Sequence, residues 1–232
     1  MSTNEKAKDI TTWNDVDWKK INQHVRKTQY QIYDASRLGN TKQVHKLQKR
    51  LARTLSAKLY AVHLVSTLNE ERKVPGVDRT PLTAKQKMEV ARSLQLDGRT
   101  LPTTRFELEK PGNAKQSYPK MFLEALENVL PKERKTRFCE KKNTLSVETI
   151  QDRAKQALAK TILEPEWEAR FEPSSYGFRP GRGCHDAIER IFTALNKNVN
   201  KWVFSADIRD GFDKIDHRAL LQKVNTFPEM AR

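Results

Sequence analysis

The chain has 232 residues, enough for one large domain or two small ones, and its 37% hydrophobic content is a modest supply for a core. Lys and Arg number 44 against 29 Asp and Glu, a formal net charge of +15, so the expected partner is a polyanion. No apolar run approaches the roughly 18 residues of a membrane span, residues 1–12 lack a signal-peptide core, and the basic residues run along the whole chain. That distribution favours nucleic acid over a membrane surface, which would ask for one basic helix with an apolar face. Cys139 and Cys184 show neither a CxxC pattern nor a nearby His at ligand spacing, so both read as plain thiols.

In chain order, Trp18, Ile21, Val25, Ile32 and Ala35 recur at helical spacing, predicting one amphipathic helix over Trp13 to Leu38 that ends at Gly39. A second helix is expected from Thr41 as N-cap, with Val44, Leu47, Leu51, Leu55, Leu59, Val62 and Val65 on one stripe until KVPGVD. The two should pair as an antiparallel hairpin. The opposite face of the second carries Lys42, Lys46, Lys49, Arg50, Arg53 and Lys58, a candidate RNA-binding surface or a solvated helix face.

After the turn Pro75-Gly76-Val77-Asp78, Thr83 and Gln86 suggest a capping box that opens a shorter helix to Leu96. Residues 99–148 read as a loop with a Lys110-Pro111-Gly112 turn, a short helix and a flexible basic connector. A helix is expected from Ile150 to Leu163, then a loop at 173–184, then a helix carrying Ile188, Ile191, Phe192 and Leu195. The run KWVFSADI, 201–208, reads as a buried strand ending at Asp207, and Asp216 should cap a final helix with Leu220, Leu221 and Val224. The order helix, strand, helix suggests an α+β fold.

Asp207, at a strand end before a glycine-containing turn, suits metal binding or the capping of a turn. Asp207, Asp210, Asp213 and Asp216 recur every three residues but cannot all converge from a strand and turn.

SYGFRPGRGCHDAI (175–188) followed by KWVFSADIRDGFDKIDHRALL (201–221) resembles the second and third sequence blocks of group II intron reverse transcriptases. QDRAKQALAKTILEPEWEARFEP (151–173) continues the likeness, and WNDVDW (13–18) and KVPGVD (73–78) resemble the extension that precedes the fingers in this family. The resemblance implies a helical, RNA-binding extension over 1–98, a divergent fingers segment over 99–148 and partial fingers and palm over 149–232. It also implies RNA-directed DNA synthesis with two Mg²⁺ ions, one activating the primer hydroxyl and both neutralising the transferring phosphate. Intron RNA, an RNA template, a DNA primer and a dNTP are the implied partners, together with a homodimer or a complementing fragment. A bacterial cytoplasm or an organelle is the implied location.

By the same resemblance Asp207 is the first palm carboxylate, and the Ile208 carbonyl completes a metal shell. Phe212 would lie under the sugar of the nucleotide, with Gly211, Arg179 and Lys110 also assigned to nucleotide binding. Phe212 reads equally as a core side chain, and Arg179 as a structural arginine capping carbonyls. His185 and Asp186 follow the family pattern and most simply begin a helix.

Two departures stand out. The family's second carboxylate cluster lies in a Tyr-x-Asp-Asp hairpin, whereas this sequence contains no Asp-Asp pair and ends 25 residues after Asp207, an expected truncation that leaves the chain inactive alone. The arginine that grips the triphosphate in the family is replaced by Asn143 and Thr144, whose neutral amide and hydroxyl cannot form a bidentate guanidinium contact.

Overall fold

A computed structural model describes residues 12–68, 82–101, 104–108, 143–195, 202–209, 211, 214–228 and 230. The 75–78 turn, Lys110, the basic segment after it, Cys139, Asp210, Phe212 and Asp213 lie outside them.

The first helix, α1 (Trp18–Arg37), starts later than its apolar spacing predicts. Asp17 accepts the Lys20 amide proton and fixes the N-terminus there, and Trp13–Asp15 form a separate 3-10 turn. Gly39, at φ +69°, lets the chain reverse without the penalty a Cβ would bring. Asn40, rather than Thr41, then caps α2 (Thr41–Arg53) by accepting from the Gln43 amide.

The expected second helix is in fact two. Thr54, at ψ 137°, leaves the helical region and serves both sides of the break. Its hydroxyl donates to the Leu51 carbonyl at 2.8 Å and accepts from the Ala57 amide at 3.3 Å, so it closes α2 and opens α3 (Leu55–His63). A π-helical turn, Leu64–Leu68, follows. The capping box of Thr83 and Gln86 forms as the sequence predicts and opens α4 (Ala84–Ser93).

Within the stretch read as loop and connector, β1 (Thr104–Leu108) and β2 (Asn143–Val147) pair antiparallel, Thr104 opposite Val147 and Leu108 opposite Asn143. Both strands are five residues long and pair across a long intervening segment, which local patterning cannot register. Thr149 caps the next helix, α5 (Ile150–Glu168), which runs past its expected end at Leu163 and through Pro165. A proline cannot donate to the carbonyl four residues before it, here that of Thr161. Gln29 of α1 supplies the missing donor, its Nε2 lying 2.9 Å from the Thr161 oxygen, so packing repairs the fault that sequence reads as a stop.

The core lies where α1, α2, α3, α4 and α5 meet, and Ile32, Val44, Leu51, Leu59, Leu158 and Ile162 are fully buried in it. Each such side chain contributes about 1.5–3 kcal/mol by leaving water. Because α5 packs on α1, α2 and α3, this core spans the expected division near residue 148.

Two further helices follow, α6 (Cys184–Leu195) and α7 (His217–Val224), the latter capped by Asp216 as expected. No residue of either is buried among those described. Residues 202–208 form no strand: Trp202, Phe204 and Ile208 stand in solvent, which corrects the buried strand expected there. A strand needs a partner for its amides and carbonyls, and among the described residues none runs beside this segment. The described structure is therefore predominantly helical, with one two-stranded ladder.

Candidate functional site

The six cations expected on one helix face are distributed by the break at Thr54. Lys42 and Lys46 are exposed on α2. Arg50 turns toward α1, where its Nη2 donates to Gln31 Oε1 at 3.1 Å. At about 100° per residue, a continuous helix would carry Lys58 roughly 180° away from Lys49. The kink re-aims α3, and Lys49, Arg53 and Lys58 line one cavity of about 380 Å³ with Leu94, Leu96 and Phe227. None of the described residues lining it is acidic.

Arg179 is buried, and its guanidinium is engaged within the fold. Nε and Nη2 donate to the two carboxylate oxygens of Glu168 at 2.9 and 2.6 Å. Nη1 donates to the carbonyls of Glu172 and Ser175 at 2.6 and 2.8 Å. These hydrogen bonds hold the Glu168 carboxyl below the usual carboxylate range and raise Arg179. The loop between α5 and α6 is thereby tied to the end of α5. It carries Phe178 at φ +58° with its ring fully exposed, an unusual backbone state for a bulky residue and one that only a well-anchored loop sustains. The aromatic between Gly177 and Arg179 gives no sequence signal for that conformation. His185 is exposed, and Asp186 accepts from the Gly183 amide at 2.6 Å at the start of α6, the helix-opening role expected for it.

Asp207 and Ile208 are exposed on the irregular segment 202–209. At Gly211 a Cβ would come within 3.3 Å of the Ile208 side chain, so this turn is close-packed on itself. Asp216 is committed to capping α7, its Oδ1 accepting from the amides of Arg218 and Ala219. Among the described residues no three His, Cys, Asp or Glu side chains come together to hold a metal ion. Asp207 alone does not fit a two-magnesium centre, because one carboxylate cannot ligate and neutralise two such ions. Asn143 and Thr144 lie on β2 opposite Leu108 and Glu107. No helix among the described residues is long and apolar enough to cross a membrane.

Missed altogether by sequence reasoning is the segment after α7. Asn225 takes the left-handed conformation at φ 43° that suits a helix end, and His45 Nε2 of α2 donates to its carbonyl at 2.7 Å. Phe227 is then buried in the helical core, with Met230 packed against it. An aromatic directly after a C-capping Asn is the available signal, and a weak one.

Two family models match the chain. The N-terminal domain of reverse transcriptase matches residues 13–94, and reverse transcriptase (RNA-dependent DNA polymerase) matches residues 130–231. Group II intron-encoded protein LtrA of Lactococcus lactis subsp. cremoris is 36% identical over 85 residues, 37% of this chain and 14% of that protein. Maturase-like protein 1 of Euglena gracilis is 25% identical over 211 residues, 89% of this chain and 41% of that protein. Nuclear intron maturase 1, mitochondrial, of Arabidopsis thaliana is 39% identical over 78 residues, 32% of this chain and 11% of that protein. The chain thus spans less than half the length of each of these relatives. Both reverse transcriptase domains in order, with relatives named for group II introns and intron maturases, establish that the chain belongs to the group II intron reverse transcriptase/maturase family.

Proposed function

We propose that the chain serves RNA-directed DNA synthesis and intron splicing or mobility by supplying the RNA-binding extension and the first palm carboxylate. The observation that supports this reading is the exposure of Lys42 and Lys46 on α2, beside a cavity that Lys49, Arg53 and Lys58 line. Such a surface attracts phosphates and releases their counterions. The division into sequence segments near residues 98 and 148, which one helical core bridges, is part of the same proposal, as are intron RNA, an RNA template, a DNA primer and a dNTP as partners.

For catalysis, Asp207 and the Ile208 carbonyl would hold Mg²⁺ once further palm polypeptide, from a complementing fragment or a second copy, pairs with residues 202–208. That pairing would also complete the α+β layer. The family's Mg²⁺ would supply charge neutralisation at the transferring phosphate. Phe212, Gly211 and Lys110 are assigned to the nucleotide by resemblance. Arg179, tied to Glu168, is assigned to holding the loop that faces it. Relatives from a bacterium and from a mitochondrial setting support action in a bacterial cytoplasm or an organelle.

Filter binding of a structured RNA across a salt series tests the RNA reading. Affinity should fall steeply with salt, and Lys42→Ala with Lys46→Ala should lower the slope by about one for each phosphate no longer neutralised. Salt-independent affinity would exclude it. Primer extension on an RNA template with Mg²⁺ tests the catalytic reading. With complementing palm polypeptide, product that survives Asp207→Ala would remove Asp207 from the metal site.

A further inference from the structure

Helix α1 buries Ile21, Val25, Thr28, Ile32 and Ala35 against the core, and its opposite side faces solvent. At about 100° per residue, Lys19, Arg26, Tyr30 and Arg37 fall within about 40° of one another and directly opposite that buried stripe. All four are exposed, Tyr30 by 69%. At about 1.5 Å per residue, the row runs along about 27 Å of the helix axis. The whole of α1 holds five Lys and Arg against a single acid, Asp34, which is set about 40° to one side of Tyr30. Lys20 is drawn to Asp17 at the helix start, and the Arg37 guanidinium lies over the Tyr33 ring at the helix end. Among the described residues no ion pair or hydrogen bond engages the side chains of Lys19, Arg26 or Tyr30.

We propose that this outer row of α1 is a contact surface for unpaired RNA, with Lys19, Arg26 and Arg37 neutralising phosphates along the strand and the Tyr30 ring stacking on one base. The inference rests on the RNA reading above and deepens it, naming a second helix face and the unpaired state of the strand. Cations alone would suit any polyanion, a duplex included. The aromatic among them makes the difference. A duplex keeps its base faces inside the stack and offers phosphates and 2′-hydroxyls, whereas an unpaired base has an open face that an exposed ring can cover. Tyr30 stands one helical turn beyond Arg26, so a base on the ring leaves its flanking phosphate near the guanidinium. Stacking also takes out of water a ring that the fold itself leaves in it. The row needs no rearrangement to bind, because the core residues on the other side of α1 fix the direction in which it faces.

The test uses the full chain and a labelled single-stranded RNA oligonucleotide, alone and annealed to its complement, with affinity read across a salt series. Tyr30→Ala should weaken binding of the single strand at least about fivefold and leave binding of the duplex nearly unchanged. Tyr30→Phe, which keeps the ring and loses only the hydroxyl, should bind the single strand as the original chain does. Lys19→Ala with Arg26→Ala should lower the single-strand salt slope by about 0.7 for each phosphate no longer neutralised. Because these side chains are exposed, the variants should unfold at the same urea concentration as the original chain. Single-strand binding by Tyr30→Ala as tight as that of the original chain would overturn the proposal. An equal loss on the duplex, or an unchanged salt slope after Lys19→Ala with Arg26→Ala, would do the same. Salt-independent binding by the original chain would sink the broader RNA reading and this surface with it. A slope lowered by Lys42→Ala with Lys46→Ala, but by no change on α1, would leave the RNA reading standing and remove the α1 surface alone.

Discussion

Helices α2 and α6 carry apolar side chains at the same helical spacing, yet Val44, Leu47 and Leu51 of α2 are buried while Ile188, Ile191 and Phe192 of α6 are more than half exposed. The difference lies in their neighbours. Helix α2 packs against α1, α3 and α5, whereas α6 has no extensive contact with any described element. Periodicity thus fixes which face of a helix is apolar, but burial needs a second surface, and for residues 184–195 and 202–208 the described chain offers none.

The largest expected effect separates these two regions directly. Leu158→Ala, in the centre of the helical core, should lower unfolding free energy by about 2–5 kcal/mol in urea titrations of the full chain. Ile191→Ala on α6 should change it by less than about 0.5 kcal/mol. A comparable loss from both would mean that α6 is packed in solution and that the contrast is false.

A second comparison, within the core, sharpens what holds it together. Gln48 is fully buried and its Nε2 donates at 2.7 Å to Glu166, whose carboxylate is 1% exposed and is also reached by Arg170 at 2.7 Å. Gln48→Ala would leave a buried carboxylate oxygen without its amide donor, costing about 1–3 kcal/mol. Gln31, which bonds Arg50 at the exposed rim, should cost less than about 0.5 kcal/mol when changed to Ala. Equal losses in urea titrations would show that burial does not set the value of these two amides.

Much of the helical part is legible in the sequence because caps and apolar spacing are local properties; Thr83 with Gln86, and Asp216, act as read. The break at Thr54 is not, since Leu51, Leu55 and Leu59 continue the stripe across it and only the threonine hydroxyl distinguishes a double cap from a helix interior. The helix expected to end at Leu163 runs on through Pro165, because the donor that rescues it comes from Gln29, far away in the chain. At the candidate site, the type of residue is readable and its geometry is not. Lys58 reaches the cavity only through the kink, Phe227 only through the return of the chain onto α2, and Arg179 leaves clamp and ligand contact open until Glu168 is seen beside it. The strand expected at 201–208 is not formed at 202–208, because a strand is a property of two segments and no described segment runs beside this one.

The smallest effect concerns the aromatic cluster at the start of the core. His63 stacks on Trp18 with ring centroids 3.9 Å apart and lies beside Trp13, with Lys87 over the Trp13 ring. Burial, helped by the charge of Lys87, pushes His63 below its usual value of 6.5. The folded state therefore resists a proton that the unfolded chain accepts. Stability should be fully present above about pH 6.5 and should decline as pH falls below it, toward the lowered folded-state value. The carboxylates held low, Asp17, Asp97 and Glu168, lose their contributions only further down, below their ordinary values near 4. His63→Phe keeps a ring on Trp18 and removes the titration, so its unfolding free energy should be flatter between about pH 7 and pH 5 than that of the original chain. Parallel decline of the two proteins over that interval would assign the pH dependence to groups outside this cluster.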